Sequence, residues 1–162
     1  MPMVNLDTMD KIDAFKGLDE DQLKHVQGYC TQKEFKKDER LFTDGEKATE
    51  LWVMIEGTVD MRFDLPGRPT SKQNNVATIT PYQVFGWTCF VSPNIRMLSA
   101  YCSTDTCTVL KIEKSRLERL FKKDTSIGYT FMSYLVNVIG LRFNQFQDEV
   151  AKHSGEDILS GW

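Results

Sequence analysis

The chain has 162 residues, of which 41% are hydrophobic and 27% charged, and 20 basic against 23 acidic side chains give a net charge of -3. This is a globular composition, and it excludes a disordered chain of low hydrophobicity and high net charge. The acidic excess without a basic cluster argues against direct DNA or RNA binding. No apolar run approaches the roughly 20 residues that span a bilayer, and no signal-peptide core is present. We therefore expect a cytoplasmic protein without membrane contact.

Histidine and cysteine are too sparse for an obvious catalytic or metal site. Only His25 and His153 could supply imidazole, and both lie in the terminal segments. A nucleophile needs a base within hydrogen-bond reach, and zinc needs clustered ligands, so we predict no enzyme activity, no metal and no required cofactor. Without a CxxC pair or a secretory signal, the cysteines are expected to be reduced and mostly buried. They are Cys30, Cys89, Cys102 and Cys107.

Residues 1–30 form the predicted N-terminal helical segment. Apolar residues recur near helical spacing between Leu6 and Tyr29, and Gly17 is expected to divide the stretch into two short helices. Asp7 and Asp19 are the candidate N-caps. The apolar positions are Ile12, Phe15, Leu18, Leu23 and Val26.

Residues 31–112 change to short runs of β-branched and aromatic residues, with turn residues about every ten positions. This spacing predicts a barrel or sandwich, and thus an α+β, mainly β fold class. The predicted strands are residues 31–35, 40–42, 50–55, 58–63, 76–79, 83–85, 97–102 and 107–112.

The helical period returns after Ile112, in a helix over residues 113–122 and a longer one over 126–153. The apolar positions of the longer helix could face the core or, over its distal half, form a dimer seam, and the pattern leaves both open. Residues 154–162 are expected to be a loose tail with an exposed Trp162. No linker divides the chain, so we predict one domain over residues 1–162. The apolar positions are Ile127, Phe131, Leu135, Val138, Leu141, Phe146 and Val150.

The segment from Phe85 to Ala100 interrupts the strand pattern. A glycine leaves one strand, a short turn follows, and Arg96 enters the next strand. Free backbone amides and a guanidinium could together bind a phosphate. A single arginine after a loop is also typical of a solvated surface, so the residues alone leave both interpretations open.

These residues resemble the cyclic-nucleotide-binding domains of catabolite-activator-type regulators, kinase regulatory subunits and cyclic-nucleotide-gated channels. The resemblance implies an eight-stranded, jelly-roll-like β-roll with N-terminal helices and a long C-terminal helix that senses the ligand. Phe85-Gly86 is similar to the family's phosphate-binding cassette, with Arg96 at the position of its phosphate-contacting arginine. The other matching segments are Phe15-Lys16-Gly17-Leu18, Asp44-Gly45-Glu46 and Glu56-Gly57-Thr58-Val59.

The resemblance also implies a set of site residues in three groups. Gly86, Trp87, Thr88, Arg96 and Met97 would bind the phosphate of the ligand. Val53, Val59, Phe85 and Leu98 would line the pocket, and Asn137, Arg142, Phe143 and Asn144 would face the base from the C-terminal helix.

Two residues depart from the family pattern. Trp87 stands where members that bind cyclic AMP carry a glutamate for the ribose 2′-hydroxyl, and an indole N–H can only donate. Met97 follows the arginine, where the family commonly has a small residue. Trp87 could stack on a purine or fill the space of the ribose contact, or it could belong to the core of a pocket that no longer binds nucleotides.

We therefore predict a regulatory module that binds cyclic AMP, cyclic GMP or a related phosphate ligand and repositions its C-terminal helix. The alternative is a degenerate pocket that serves as a dimerisation or protein-interaction scaffold. The sequence stops shortly after the long helix, without the helix-turn-helix domain of the family's transcription factors, so no direct DNA binding is expected. A homodimer through the C-terminal helix is expected from the resemblance.

Overall fold

The computed structural model describes residues 4–160 of the chain. Its helices are α1 (Leu6–Lys11), α2 (Glu20–Gln27), α3 (Lys114–Lys123) and α4 (Thr125–Ser160), with short 3-10 helices at Asp13–Phe15, Lys72–Asn74 and Trp87–Phe90. Its strands are β1 (Cys30–Lys36), β2 (Arg40–Phe42), β3 (Glu50–Glu56), β4 (Val59–Arg62), β5 (Asn75–Ile79), β6 (Val84–Phe85), β7 (Ser99–Cys102) and β8 (Thr106–Glu113).

Local capping explains where the N-terminal helices begin. Asn5, and not the predicted Asp7, caps α1 through its side chain. Asp19 caps α2 as predicted and forms a reciprocal capping box with Gln22. Gly17 adopts a positive φ of 90° between these helices, a backbone conformation that favours glycine, so the predicted division of the helical segment is confirmed.

The eight strands pair entirely antiparallel in two four-stranded sheets, in the orders β1-β8-β3-β6 and β2-β7-β4-β5. The first strand therefore pairs with the last, and each sheet combines strands from both halves of the segment. The predicted α+β, mainly β fold with an eight-stranded β-roll is confirmed.

Two buried clusters lie on the two faces of the β1-β8-β3-β6 sheet. Because successive side chains of a strand point to opposite faces, Trp52 and Met54 enter one cluster, whereas Leu51 and Val53 enter the other. We call the first the roll interior; it consists of Phe35, Phe42, Trp52, Met54, Val59, Met61, Ile79, Phe85, Ala100, Cys102, Cys107 and Val109. The second, the helix-side core, also contains residues of all four helices, among them Met9, Leu23, Leu117 and Phe131.

The cysteines behave as small buried side chains, as predicted. All four are free thiols; Cys89, Cys102 and Cys107 are buried and Cys30 is half-buried. Burial raises the pKa of Cys30 to about 12 and that of Cys89 to about 11. These two thiols are therefore protonated at neutral pH and poor nucleophiles.

The buried residues described in helix α4 all lie in its first turns. Ile127, Phe131 and Leu135 are buried in the helix-side core, whereas Phe146 and Val150 are exposed. The helix continues to Ser160, so residues 154–160 are helical and the predicted loose tail is wrong for them. Trp162 lies outside the described residues. None of the described helices combines the length and the apolar character needed to cross a membrane.

Two glycines of α4 give a matched pair for testing this packing. A Cβ at Gly128 would lie 2.9 Å from the Cβ of Phe121, whereas a Cβ at Gly140 would meet nothing within 4 Å. Because alanine is the better helix former by about 1 kcal/mol, Gly140→Ala is expected to raise the free energy of unfolding. Gly128→Ala should lower it by about 1–3 kcal/mol, because Phe121 already packs against the Phe131 ring. Urea unfolding measures both, and equal stabilisation by the two variants would contradict this packing.

Candidate functional site

The segment between β6 and β7 begins with Gly86, whose backbone conformation and close neighbours both require a glycine. Gly86 adopts the left-handed conformation, with φ 70° and ψ 22°, and precedes the 3-10 helix Trp87–Phe90. A Cβ at this position would lie 2.8 Å from Nη1 of Arg96 and 2.9 Å from Cδ1 of Trp52. The backbone of Gly86 thus approaches both side chains more closely than any residue with a Cβ could.

Arg96 lies against this glycine with its guanidinium buried. The residue is 4% exposed, and its Nη1 and Nη2 donate hydrogen bonds to the carbonyl oxygens of Gly86 and Glu50 at 2.6 and 2.7 Å. The guanidinium carbon is 4.3 Å from the centroid of the Phe42 ring, a cation–π contact. Among the described residues, no carboxylate forms an ion pair with Arg96. The result is a buried positive charge held by neutral groups.

Backbone contacts fix the position of this arginine. The amide of Arg96 donates to the carbonyl of Glu46 at 2.7 Å, and the amide of Gly45 donates to the carbonyl of Arg96 at 2.8 Å. Burial lowers the pKa of the guanidinium, and the nearby Cys89, Glu50 and Glu46 oppose that shift. An arginine remains protonated in proteins, so the site keeps its positive charge.

The Phe42 ring, which contacts the guanidinium, belongs to an aromatic cluster in the roll interior. Trp52 contacts three rings there, with centroids 6.1 Å from Phe35, 5.6 Å from Phe42 and 6.0 Å from Phe85. Sequence reasoning named Phe85 but missed the other three. For Trp52 the sequence carries no clear signal, because β3 is apolar on both of its faces.

The residues predicted to line the pocket separate into two groups. Val59 and Phe85 are buried in the roll interior, and Leu98 is partly buried against it. Val53 lies on the opposite face of β3, in the helix-side core. The structure therefore corrects its predicted place, because Val53 follows Trp52 directly and neighbouring residues of a strand face opposite sides.

The predicted phosphate-binding residues also occupy different environments. Gly86 and Arg96 are adjacent, as described above. Trp87 is half-buried against the helix-side core, and the buried hydroxyl of Thr88 has no hydrogen-bond partner among the described residues. Met97 is 64% exposed, so its side chain faces solvent and not the roll interior.

The four candidate residues of the C-terminal helix lie beyond its buried turns. Asn137, Phe143 and Asn144 are exposed, and Arg142 is half-buried. Burial lowers the pKa of Arg142, and the nearby Tyr134 opposes this shift. None of the hydrogen bonds or ring contacts found between described residues joins these four side chains to the cassette.

Comparisons with known proteins agree with this fold. The family profile of the cyclic nucleotide-binding domain matches residues 32–124, and no curated protein sequence matches the chain. A cyclic nucleotide-binding domain from Methylobacillus flagellatus KT has a TM-score of 0.72 at 18% identity, covering 90% of this chain and 80% of that one. The catabolite activator protein of Thermus thermophilus has a TM-score of 0.70 at 18% identity, covering 88% and 63%.

A third similar structure is the regulatory domain of Toxoplasma gondii protein kinase A, in co-crystals with cyclic AMP. Its TM-score is 0.59 at 16% identity, and the alignment covers 71% of this chain and 42% of that one. At these identities the structural likeness shows the fold, whereas the profile match covers more than half of the sequence and shows the family. The chain belongs to the cyclic nucleotide-binding domain family.

Proposed function

We propose that this chain is a regulatory module that binds a cyclic nucleotide, or a related phosphate ester, beside Gly86 and Arg96. The observation that carries the proposal is the buried guanidinium of Arg96, which has no carboxylate partner among the described residues. A buried charge is costly unless it is compensated, and an anionic ligand would compensate it fully. Within the described part of the chain, carbonyl oxygens accept from two of the five N–H donors of the arginine, which leaves three for a ligand.

Ligand binding would be transmitted to other molecules by a movement of α4. A ligand can shift this helix only if it binds one helix position more tightly than another. The first turns of α4 are anchored in the helix-side core, whereas the apolar side chains described in its distal half, Phe143, Phe146 and Val150, are exposed. We propose that this distal half moves and pairs with a second copy of the chain, which would cover Leu141, Phe143, Phe146 and Val150.

A second candidate function is a scaffold whose pocket no longer takes a ligand. The observation that favours it is the filling of the roll interior by Trp52, Phe42 and Phe85, together with the two carbonyl partners of Arg96. In that case the arginine would stabilise the fold, and the exposed face of α4 would be the functional surface. The two functions differ in one measurable property. A nucleotide should raise the stability of a ligand-binding module, but it should not change the stability of a scaffold.

Melting of purified, nucleotide-free protein with and without cyclic AMP and cyclic GMP distinguishes them. A ligand at a hundred times its Kd adds about 2.7 kcal/mol of stability. For a domain of this size, that corresponds to a rise in Tm of roughly 5–10 °C. We expect such a rise with at least one of the two nucleotides. An unchanged Tm at millimolar concentrations of both would favour the scaffold.

The same assay tests the consequence of Trp87. An indole N–H cannot accept a hydrogen bond from the ribose 2′-hydroxyl, and Trp87 packs toward the helix-side core. We therefore expect 2′-deoxy cyclic AMP to raise the Tm as much as cyclic AMP does. A clearly smaller rise with the deoxy analogue would mean that another residue of the site accepts this hydroxyl.

A further inference from the structure

Trp52 carries a buried hydrogen-bond donor that nothing in the described part of the chain satisfies. The residue is 3% exposed, and its Nε1 has no hydrogen-bond partner among the described residues. Most buried polar groups in proteins are paired, and an unpaired one costs about 1–3 kcal/mol. A phenylalanine at this position would fill the aromatic cluster without that cost. Packing of the ring therefore does not explain why a tryptophan, with its indole N–H, stands at this position.

The donor edge of the indole lies beside the phosphate-site arginine. Cδ1 of Trp52 and Nη1 of Arg96 both lie within 3 Å of the point where a Cβ of Gly86 would be, so these two atoms are within about 6 Å of each other. Nε1 is bonded directly to Cδ1. An anion that contacts the Arg96 guanidinium would thus lie near the indole N–H of Trp52 as well.

The charges around the indole also favour an anion. The ammonium of Lys111 lies 4.9 Å from the ring centroid of Trp52, and it forms an ion pair with Glu50 at 3.0 Å. The negative charge of Glu50 therefore compensates the positive charge of Lys111. The positive charge of Arg96, in contrast, has no ion-pair partner among the described residues. Arginine and indole groups donate and do not accept, so the two side chains together select a ligand group that only accepts hydrogen bonds.

We infer that Nε1 of Trp52 donates a hydrogen bond to the same anionic group that Arg96 binds, so that Trp52 is a ligand-contacting residue selective for a phosphate group. The inference rests on the proposed ligand site beside Gly86 and Arg96. It differs from a packing role in one respect: packing needs only the area of the ring, whereas ligand contact needs the N–H.

Nitrogen-15 labelling of the tryptophan indoles observes this N–H directly. The chain has three tryptophans, and Trp52→Phe identifies the resonance of Trp52 by its loss. Wild-type protein is titrated separately with cyclic AMP, cyclic GMP and inorganic phosphate. We expect the Trp52 indole proton to shift downfield and to exchange more slowly with water as the bound fraction rises. Trp52→Phe, shown to be folded by its melting curve, should bind the same probe about tenfold more weakly.

The possible outcomes separate this inference from the proposed function. Saturable, Arg96-dependent nucleotide binding without a change in the Trp52 resonance would overturn the inference and leave the function intact. A response of Trp52 to inorganic phosphate but to neither nucleotide would support the inference and overturn the nucleotide ligand. If none of the three probes moves the resonance, the inference is wrong, whatever the variant does to stability.

Discussion

Alanine in place of Gly86 is expected to lower the free energy of unfolding by about 2–5 kcal/mol. The left-handed conformation at φ 70° costs an L-residue about 1–2 kcal/mol. The new Cβ would also lie under 3 Å from Arg96 and Trp52, both of which are held in place by other contacts. Relieving the overlap would force the guanidinium off its carbonyl partners, so we expect loss of ligand binding as well.

Gly67→Ala is the matched control for this substitution. Gly67 has nearly the same φ, 72°, but a Cβ there would meet nothing within 4 Å. It should therefore show only the backbone strain of about 1–2 kcal/mol, without an effect on binding. Chemical denaturation of the two variants compares them directly. Equal destabilisation would mean that Gly86 is needed for its φ alone and that the close approach of Arg96 and Trp52 has no consequence.

The second large effect is expected from Arg96→Ala, which should weaken the binding of a cyclic nucleotide by roughly a hundredfold. A hydrogen bond to a charged group contributes about 1.5–3 kcal/mol, and the arginine offers several donors to one anion. Arg96→Lys keeps the charge but loses the planar fork, so an intermediate loss is expected. Arg96→Ala should also destabilise the protein, because the carbonyls of Gly86 and Glu50 lose their donor.

Arg68→Ala provides the control for charge, since it removes one positive charge from an exposed position. We expect its affinity and stability to match those of the wild type. If Arg96→Ala retains wild-type affinity in calorimetric titration while losing stability, the arginine serves the fold and not the ligand.

The strand pattern predicted the strand positions well because turns and β-branched runs are local signals, whereas the β-roll architecture came from the family resemblance. All eight strands appear within one or two residues of the predicted bounds, and the division of the N-terminal helices at Gly17 is also correct. The end of α4 was less predictable. Glycine and acidic residues near Ser154 suggested a loose tail, but neither stops a helix by itself, and α4 continues to Ser160.

The interior of the site was harder to predict because β3 is apolar on both faces. Residues 51–55 read Leu-Trp-Val-Met-Ile, a run without alternation, so the sequence does not say which residues enter the roll. The family resemblance implies Val53 there and does not name Trp52; the structure reverses the two. The sequence also does not predict the hydrogen bonds from Arg96 to the carbonyl oxygens of Gly86 and Glu50. Every residue has a backbone carbonyl, so residue types do not indicate which carbonyl will accept a bond.

Isothermal titration of the purified, nucleotide-free protein with cyclic AMP and cyclic GMP tests the central proposal most directly. We expect saturable binding of at least one of the two nucleotides, which Arg96→Ala loses and Arg68→Ala retains. No heat with either nucleotide, together with an unchanged melting temperature, would contradict a nucleotide sensor and leave the scaffold as the function of this fold.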